Sequence, residues 1–282
     1  MATETQQFVS KDWTILKNRP GWQALNLREL WQYRDLLYFL VWRDIKSRYA
    51  QSVLGVGWAI IQPVFNMLVF TIIFGNLASV SSDGVPYAIF NFAALVPWTY
   101  FANALSGAAT SLVTSSSMIS KVYFPRLLIP LAPALGKLVD FAIAMAILLL
   151  LVVWFQVTPN LNVLALPLLV LIMVLAASGA GMWLTALSIQ YRDISYALSF
   201  IIQMLMYASP VVYPASSVPA QFRLLYGINP MVGVIEGFRS AFLSTNPMPW
   251  DLILVAGLSA LFLSVSGAFY FRRMERIFAD VA

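Results

Sequence analysis

Five stretches of this chain contain no charged side chain, and each is at least 20 residues long. They cover residues 49–82, 84–120, 141–191, 194–222 and 252–271. A helix that crosses the hydrocarbon core of a bilayer needs about 20 consecutive apolar residues. The third run can hold two such helices, because Thr158, Pro159 and Asn160 divide it. The sequence therefore predicts an all-α membrane protein with six transmembrane helices.

The composition agrees with this class and removes several kinds of chemistry. Only 10% of the 282 residues are charged and 60% are hydrophobic, whereas soluble domains carry about 25% charged residues. The chain has no cysteine and no histidine, which removes thiol nucleophiles, Cys/His metal sites and imidazole catalysis. It also lacks a glycine-rich phosphate loop, an HExxH pattern and a nucleophile elbow. We therefore expect a protein that is not an enzyme, with no catalytic residue, metal site or cofactor of its own.

The basic side chains predict the orientation. Eight of the 17 Lys and Arg residues precede the first predicted span. Those in the connections and tail on the same side are Lys121, Arg126, Arg192, Arg272, Arg273 and Arg276. Only Arg223 and Arg239 lie in loops on the opposite side. Because basic residues are retained in the cytoplasm, we expect a multi-pass protein of the cytoplasmic (inner) membrane with both termini cytoplasmic. The net charge of +5 follows from this bias, so no nucleic-acid partner is expected.

The chain is predicted to have three parts: a polar cytoplasmic tail (1–26), an amphipathic interface helix (27–50) and a transmembrane domain (51–282). In the second part, charged residues fill the gaps between apolar ones at helical spacing. These apolar residues are Leu27, Leu30, Trp31, Leu37, Tyr38, Val41 and Ile45. Such a helix is expected to lie in the headgroup layer, with its apolar side in the acyl chains. A helix packed on a soluble domain is the alternative, which the span that follows directly disfavours.

Three predicted spans carry informative side chains. Lys137 and Asp140 lie three residues apart near the cytoplasmic end of the third span and can form an ion pair, with a proton relay as the alternative. Small residues at 176–181 permit close helix contact in the fourth span. The fifth span, 194–211, has a polar stripe at Tyr196, Ser199, Gln203, Tyr207 and Pro210. Since polar groups are kept out of lipid, the stripe faces either neighbouring helices or a water-filled path.

Two connections are predicted to be structured. The cytoplasmic loop at 113–129 is short, amphipathic and bounded by serines and prolines, which predicts a stub helix on the membrane face. The external segment at 211–249 contains eight Gly and Pro helix breakers and two helices, near 220–226 and 230–243, that are too short to span. Non-helical backbone at membrane depth must be buried in protein or line a cavity. This re-entrant segment is therefore a candidate exit gate, with the residues Asn229, Pro230, Glu236 and Arg239.

The order of these elements resembles the ABC-2 type permeases, in particular the subunits that export lipid-linked polysaccharide such as O-antigen, capsule or teichoic acid. The resemblance covers nearly the whole chain from Leu27 onward. In the first half it rests on Arg43-Asp44, Arg48-Tyr49, Ser52-Val53-Leu54-Gly55, Trp58, Gln62-Pro63, Lys121, Phe124-Pro125-Arg126 and Pro130. In the second half it rests on Tyr191-Arg192-Asp193-Ile194, Asn229-Pro230, Glu236 and Phe238-Arg239.

The resemblance implies a homodimer bound to two copies of a separate ATPase subunit, which would bind the ATP and Mg. It implies that the cytoplasmic loop and the turn before the fifth span contact this ATPase. The implied coupling residues are Lys121, Tyr123, Phe124, Pro125, Arg126, Arg192 and Asp193. It also implies that spans one and five line the channel, through Trp58, Gln62, Phe65, Tyr196, Ser199, Gln203 and Tyr207. Val69 shares the face of span one, and aromatic residues filling a dimer interface are the alternative for that face.

The function that follows is the transmembrane subunit of an ATP-driven exporter of a polyprenyl-diphosphate-linked glycan. Arg43, Lys46 and Arg48 would neutralise the diphosphate at the cytoplasmic rim, or would orient the interface helix against lipid headgroups. A permease of the same fold for a smaller lipid or drug is one alternative. An ATPase-independent secondary transporter and a lipid-linked glycosyltransferase are the others.

Overall fold

The computed structural model describes residues 27–50, 55, 57–115, 118, 121, 123–191 and 193–275. These residues form helices and connections, with no strand among them. The α-helices are α1 (Leu27–Gln32), α2 (Arg34–Tyr49), α3 (Gly57–Phe70), α4 (Tyr87–Thr114), α5 (Leu128–Gly136), α6 (Leu138–Trp154), α7 (Leu166–Gln190), α8 (Asp193–Tyr207), α9 (Arg223–Tyr226), α10 (Pro230–Leu243) and α11 (Trp250–Met274). A π-helix (Thr71–Leu77) continues α3, and 3-10 turns cover Leu161–Ala165, Ala215–Ser217 and Ala220–Phe222.

Five segments are long and apolar enough to cross a membrane: Gly57–Leu77, Tyr87–Thr114, Leu128–Trp154, Leu161–Ser188 and Trp250–Met274. They correspond to the first four predicted spans and the last. The predicted fifth span differs, because α8 ends at Tyr207 and not at 211. Its 15 residues are about 22 Å long, shorter than the roughly 30 Å hydrocarbon core. Pro210 explains the early end, since it has no N–H to donate to the preceding turn and disfavours helix at the residue before it.

The central helix is α4, which packs against α3, α5, α6, α7, α8 and α10. In its most apolar window 78% of residues are buried, compared with 11% in the span that α3 begins. Its glycine, alanine and serine residues allow neighbouring helices to approach closely. A Cβ at Gly107, for example, would lie 3.0 Å from the ring of Pro133 on α5. The peripheral helices therefore surround α4 and leave their outer faces exposed.

Small residues also bring α7 and α11 together, as the sequence predicted for 176–181. A Cβ at Gly179 would lie 2.5 Å from the backbone nitrogen of Ser264, and one at Gly267 would lie 2.5 Å from the carbonyl oxygen of Gly179. The Ser264 hydroxyl donates to the carbonyl of Leu175 at 2.7 Å. The prediction of close contact at this point is confirmed.

The third span runs from Leu128 to Trp154 as one apolar segment, as the sequence predicted, with a single turn residue inside it. Its two parts, α5 and α6, meet at Lys137. The N–H of Lys137 donates to the carbonyl of Pro133 at 3.0 Å, and Pro133 itself offers no N–H to the turn before it. The turn places Lys137 and Asp140 beside the end of α2, where the charge cluster described below is formed.

The helices α1 and α2 form an arm along residues 27–49. Leu40 is 2% exposed, and Leu30, Leu37 and Val41 pack with it against the loop and the last span, at Phe124, Leu128 and Phe271. Trp31, Tyr38 and Trp42 point outward and are 69%, 71% and 54% exposed. The prediction that the apolar residues of this helix form one open face is therefore wrong for the aliphatic side chains. Leu30, Leu37 and Val41 are partly covered by protein, because they pack against a buried cluster that includes Leu40, Phe124 and Phe271, while Trp31 and Tyr38 remain open.

Candidate substrate path and charge cluster

The predicted channel face of span one is open in the structure. Trp58 is 54% exposed and Phe65 is 63% exposed, while Gln62 between them is also exposed and Val69 is half-buried. Their spacing of four, three and four residues places them on one side of α3. Pro63, on the opposite side, is buried. Exposure alone does not distinguish this side of α3, because Ile60, Ile61 and Leu68 are exposed as well, so its role in lining a channel stays a prediction.

The polar stripe of α8 is open as well. Tyr196 is 84% exposed and Tyr207 is 48% exposed, with Ser199 and Gln203 exposed between them. Pro210 does not belong to the stripe, because it lies beyond the end of the helix and is buried. Both α3 and α8 pack against α4. The two faces that the resemblance assigned to the channel thus flank the same central helix and carry aromatic and amide groups.

A cluster of four charges lies where the arm meets span three. Arg48 binds Asp44 at 2.8 Å and Asp140 at 2.5 Å, and Lys137 lies 3.3 Å from the same oxygen of Asp140. The Tyr49 hydroxyl donates to the other oxygen of Asp140. Burial, together with the hydrogen bond to Asp140, raises the pKa of Tyr49 to about 12, so this hydroxyl remains a donor at neutral pH.

The sequence predicted the Lys137–Asp140 pair, which is confirmed, but it missed Asp44, Arg48 and Tyr49 as partners. No local pattern links positions that are about 90 residues apart. Gly136, the last residue of α5, faces the arm. A larger residue would not fit there, since a Cβ at this position would lie 2.6 Å from a carboxylate oxygen of Asp44.

The three cations assigned to the diphosphate do not share a surface. Arg43 and Lys46 are exposed, and the Arg43 guanidinium donates to Ser115 at 3.5 Å. Arg48 points to the opposite side of α2 and is held by Asp44 and Asp140. The expectation of one basic rim formed by all three residues is therefore corrected, because the helix turns Arg48 into the protein.

Beside the charge cluster lies a cavity of about 220 Å³ between the arm and spans one, two and three. Its polar lining includes Gln62, Thr99, Asn103, Lys137 and Asp140, and its apolar lining includes Trp58. Because Trp58 and Gln62 also belong to the open face of span one, the cavity adjoins the candidate substrate path. We call it the lateral cavity.

The loop between the second and third spans is bound to the start of α1 and to the residue that follows α11. Arg126 donates to the carbonyl of Glu275 at 3.1 Å, and Tyr123 lies 3.5 Å from Glu29 on α1, which pairs with Arg272 at 3.7 Å. Burial raises the pKa of the Glu275 carboxyl, which Arg126 and Arg272 partly offset. Within this loop Tyr123 is exposed and Phe124 is buried.

Three of the other residues predicted to contact the ATPase lie among the described residues. Lys121 and Asp193 are exposed, and Pro125 is half-buried. Arg192, the tail 1–26 and much of the predicted stub helix lie outside the described residues.

The segment 211–249 contains a second ion pair, between two of the residues predicted for the gate. Arg239 is 2% exposed and binds Glu236 at 2.8 Å. Its guanidinium also donates to the carbonyls of Val211 at 3.0 Å, Tyr213 at 3.2 Å and Phe90 at 3.4 Å, and lies 3.7 Å from the centre of the Phe90 ring. Arg239 thus holds α10, the chain after α8 and the central helix together.

Asn229 and Pro230 begin α10 in the usual way. The Asn229 side chain accepts from the N–H of Met231 at 3.1 Å, and its amide donates to Ser209 at 2.8 Å. Pro230 stands at the first helical position, where its missing N–H is not needed. A bond between the hydroxyls of Tyr213 and Tyr226 at 3.1 Å closes the same region, and the sequence reasoning missed it. The four gate residues are therefore brought together around the end of α8.

A bundle of long apolar helices with two open polar and aromatic faces defines a membrane permease. The chain belongs to the ABC-2 type transporter family, whose sequence pattern matches residues 35–243. Among its relatives is the O-antigen export system permease protein RfbA of Myxococcus xanthus, 28% identical over 88% of this chain and 96% of the relative. The protein of the same name from Klebsiella pneumoniae is 25% identical over 88% and 95%. The polysialic acid transport protein KpsM of Escherichia coli is 24% identical over 71% and 78%.

Proposed function

We propose that this chain is the transmembrane subunit of an ATP-driven exporter that moves a polyprenyl-diphosphate-linked polysaccharide across the cytoplasmic membrane. The observation that carries the proposal is the end-to-end similarity to permeases named for O-antigen export. The open faces of α3 and α8 support it. Aromatic rings beside amides offer broad contact to sugar rings with few side-chain rotamers to freeze, which suits a chain that must slide.

The proposed topology has six spans, with α8 as the fifth and both termini in the cytoplasm. The chain after α8 continues to Val211, whose carbonyl accepts a hydrogen bond from Arg239. Protein thus supplies hydrogen bonds that this non-helical backbone needs at membrane depth. The segment 211–249 is then the re-entrant exit gate. The arm formed by α1 and α2 lies in the headgroup layer, where Trp31, Tyr38 and Trp42 are suited to the interface.

The proposed assembly is a homodimer with two ATPase subunits, which bind ATP and Mg. The exposed Lys121, Tyr123 and Asp193 would face the ATPase, together with Arg192, while Phe124 anchors the loop in the core. Spans one and five of the two copies would line the channel. Closure of the ATPase dimer would move the loops, and with them the arm and the first spans.

The three cations at the proposed cytoplasmic rim have different proposed roles. Arg43 and Lys46 are exposed on α2 and would meet the diphosphate or lipid headgroups. Arg48, which is already paired with two carboxylates, would position the arm. Charge reversal at Arg43 is therefore expected to reduce export, and unchanged export with correct insertion would remove Arg43 from the diphosphate site.

Deletion of this gene in its host tests the function. The deletion strain is expected to lose a surface polysaccharide and to accumulate the lipid-linked glycan on the cytoplasmic side, as read by a polysaccharide-specific antiserum before and after lysis. An affinity-tagged copy is expected to restore display and to co-purify with a protein that carries nucleotide-binding motifs. A normal surface glycan in the deletion strain contradicts the proposal and leaves a permease for a smaller lipid or drug. Transport by the purified chain alone would instead favour a secondary transporter.

A further inference from the structure

The lateral cavity contains hydrogen-bonding groups that the fold does not use. Within the described part of the chain, no hydrogen bond engages the side chains of Gln62, Thr99 or Asn103. Thr99 and Asn103 are one turn apart on α4, and Trp58 and Gln62 are one turn apart on α3. Two amides, a hydroxyl and an indole ring thus converge on one small space from two facing helices.

The charges of the cavity are already committed to one another. Arg48 and Lys137 both pair with Asp140, and Arg48 also pairs with Asp44. These two cations and two carboxylates sum to zero. An anionic group would have to displace a carboxylate from Arg48 at 2.5–2.8 Å, whereas a neutral ligand would bind to the free amides without breaking any pair. The chemistry therefore favours a neutral polyhydroxylated ligand over a phosphate.

The size and shape of the cavity agree with this choice. Its volume of about 220 Å³ lies below the range of about 300–1,000 Å³ typical of drug-sized ligands, so the enclosed space suits one sugar ring. Amides and hydroxyls both donate and accept hydrogen bonds, as sugar hydroxyls do. Trp58 supplies a flat apolar surface against which one face of the ring can pack.

On these observations, which rest on the proposed function, we infer that the lateral cavity is a binding site for a single sugar residue at the cytoplasmic mouth of the path. Gln62, Thr99 and Asn103 bind its hydroxyls, and Trp58 packs against its ring. The charge cluster closes one wall of the site and keeps it neutral. The site therefore recognises the saccharide itself, separately from the carrier's phosphate groups, which meet the exposed rim.

Thiol labelling in the host tests this site. The chain has no native cysteine, so Asn103→Cys introduces a unique thiol whose rate of reaction with N-ethylmaleimide reports access to the cavity. Two strains are compared: one makes the lipid-linked glycan, and the other lacks the enzyme that adds its first sugar but retains the phosphorylated carrier lipid. Thr110→Cys is the matched control, because it is exposed on the same side of α4 about 10.5 Å further along.

We expect several-fold slower labelling of Asn103→Cys in the glycan-making strain only, and equal labelling of Thr110→Cys in both strains. Equal labelling of Asn103→Cys in the two strains overturns the sugar site. Slowing at both positions also overturns it, because it shows a general closure of the path. Thr99→Cys repeats the comparison if Asn103→Cys does not insert.

A second measurement uses the purified complex with its ATPase. Asn103→Ala is expected to raise the KM for glycan-stimulated ATP hydrolysis about fivefold, the effect of one net hydrogen bond, with kcat unchanged, while Thr110→Ala leaves both unchanged. An unchanged KM in Asn103→Ala refutes the site. Failure of the proposed function is a separate result, since it appears as a normal surface glycan in the deletion strain.

Discussion

Replacing Asp140 by asparagine is expected to destabilise the protein by about 3 kcal/mol. Asp140 faces two cations, Arg48 at 2.5 Å and Lys137 at 3.3 Å. At an effective dielectric constant of about 20, unit charges about 4 Å apart attract by about 4 kcal/mol, and removal of one partner of a buried pair costs about 3–5 kcal/mol. The three side chains retain 18–23% exposure, so water screens part of the loss and the lower figure applies.

The free energy of unfolding can be measured by SDS titration of the purified protein in mixed micelles. Asp35→Asn is the matched control, since Asp35 also pairs with an arginine but is 93% exposed, and no change is expected there. The double variant Arg48→Met with Asp140→Leu leaves Asp44 and Lys137 as an opposite pair. It should be more stable than the sum of its two single variants by at least about 1 kcal/mol. Additive effects, or an unchanged Asp140→Asn, would refute the claim that these charges form one unit.

Three further substitutions test other contacts. Gly179→Ala should cost about 1–3 kcal/mol of stability through overpacking of α7 on α11, whereas Gly257→Ala, whose Cβ would meet its nearest neighbour at 3.6 Å, should cost little; equal effects in the same titration contradict the close crossing. Arg239→Met should cost about 3–5 kcal/mol of stability because it leaves a buried carboxylate and several carbonyls without their donor. A wild-type unfolding curve would show that the contacts of Arg239 are not needed for stability. Tyr49→Phe tests a pH dependence: burial raises the pKa of Tyr49 from 10.0 to about 12, so the native state holds this proton more tightly and its contribution to stability falls as pH rises from about 10 to 12. The variant should show a smaller fall over that range in a pH series of melting curves, and an equal fall would exclude Tyr49 as its source.

The sequence predicted the apolar spans well, because each boundary is marked by charges or prolines that a bilayer segment excludes. Asp83 separates the runs that hold the first two spans, and Asp251 precedes the run of the last span, whose helix begins at Trp250. Spacing along one helix determined which side chains of α3 and α8 share a face, and the role of these faces in lining a channel stays a prediction. The end of α8 was misplaced because the stripe was extended through Pro210, which cannot complete a helical turn.

The pairing of distant charges could not be predicted. Lys137 and Asp140 were recognised because they are neighbours on one helix, whereas Arg48 reaches Asp140 only after α2 packs along α5. For the same reason the arm was assigned one apolar face. The sequence shows that Leu37 and Tyr38 are both apolar, but only the packed structure shows that Leu37 faces protein while Tyr38 stays open.

The arm formed by α1 and α2 is held by charged side chains at both of its ends. At its start, Glu29 pairs with Arg272 at the end of the last span and lies 3.5 Å from Tyr123 of the loop. At its end, Arg48 and Tyr49 bind Asp140 of span three. Between these points Leu40 is buried, so bending the arm would expose apolar side chains that pack against it. If the loop moves as the proposed coupling requires, these contacts would transmit its displacement through the arm to Asp140, which lines the lateral cavity.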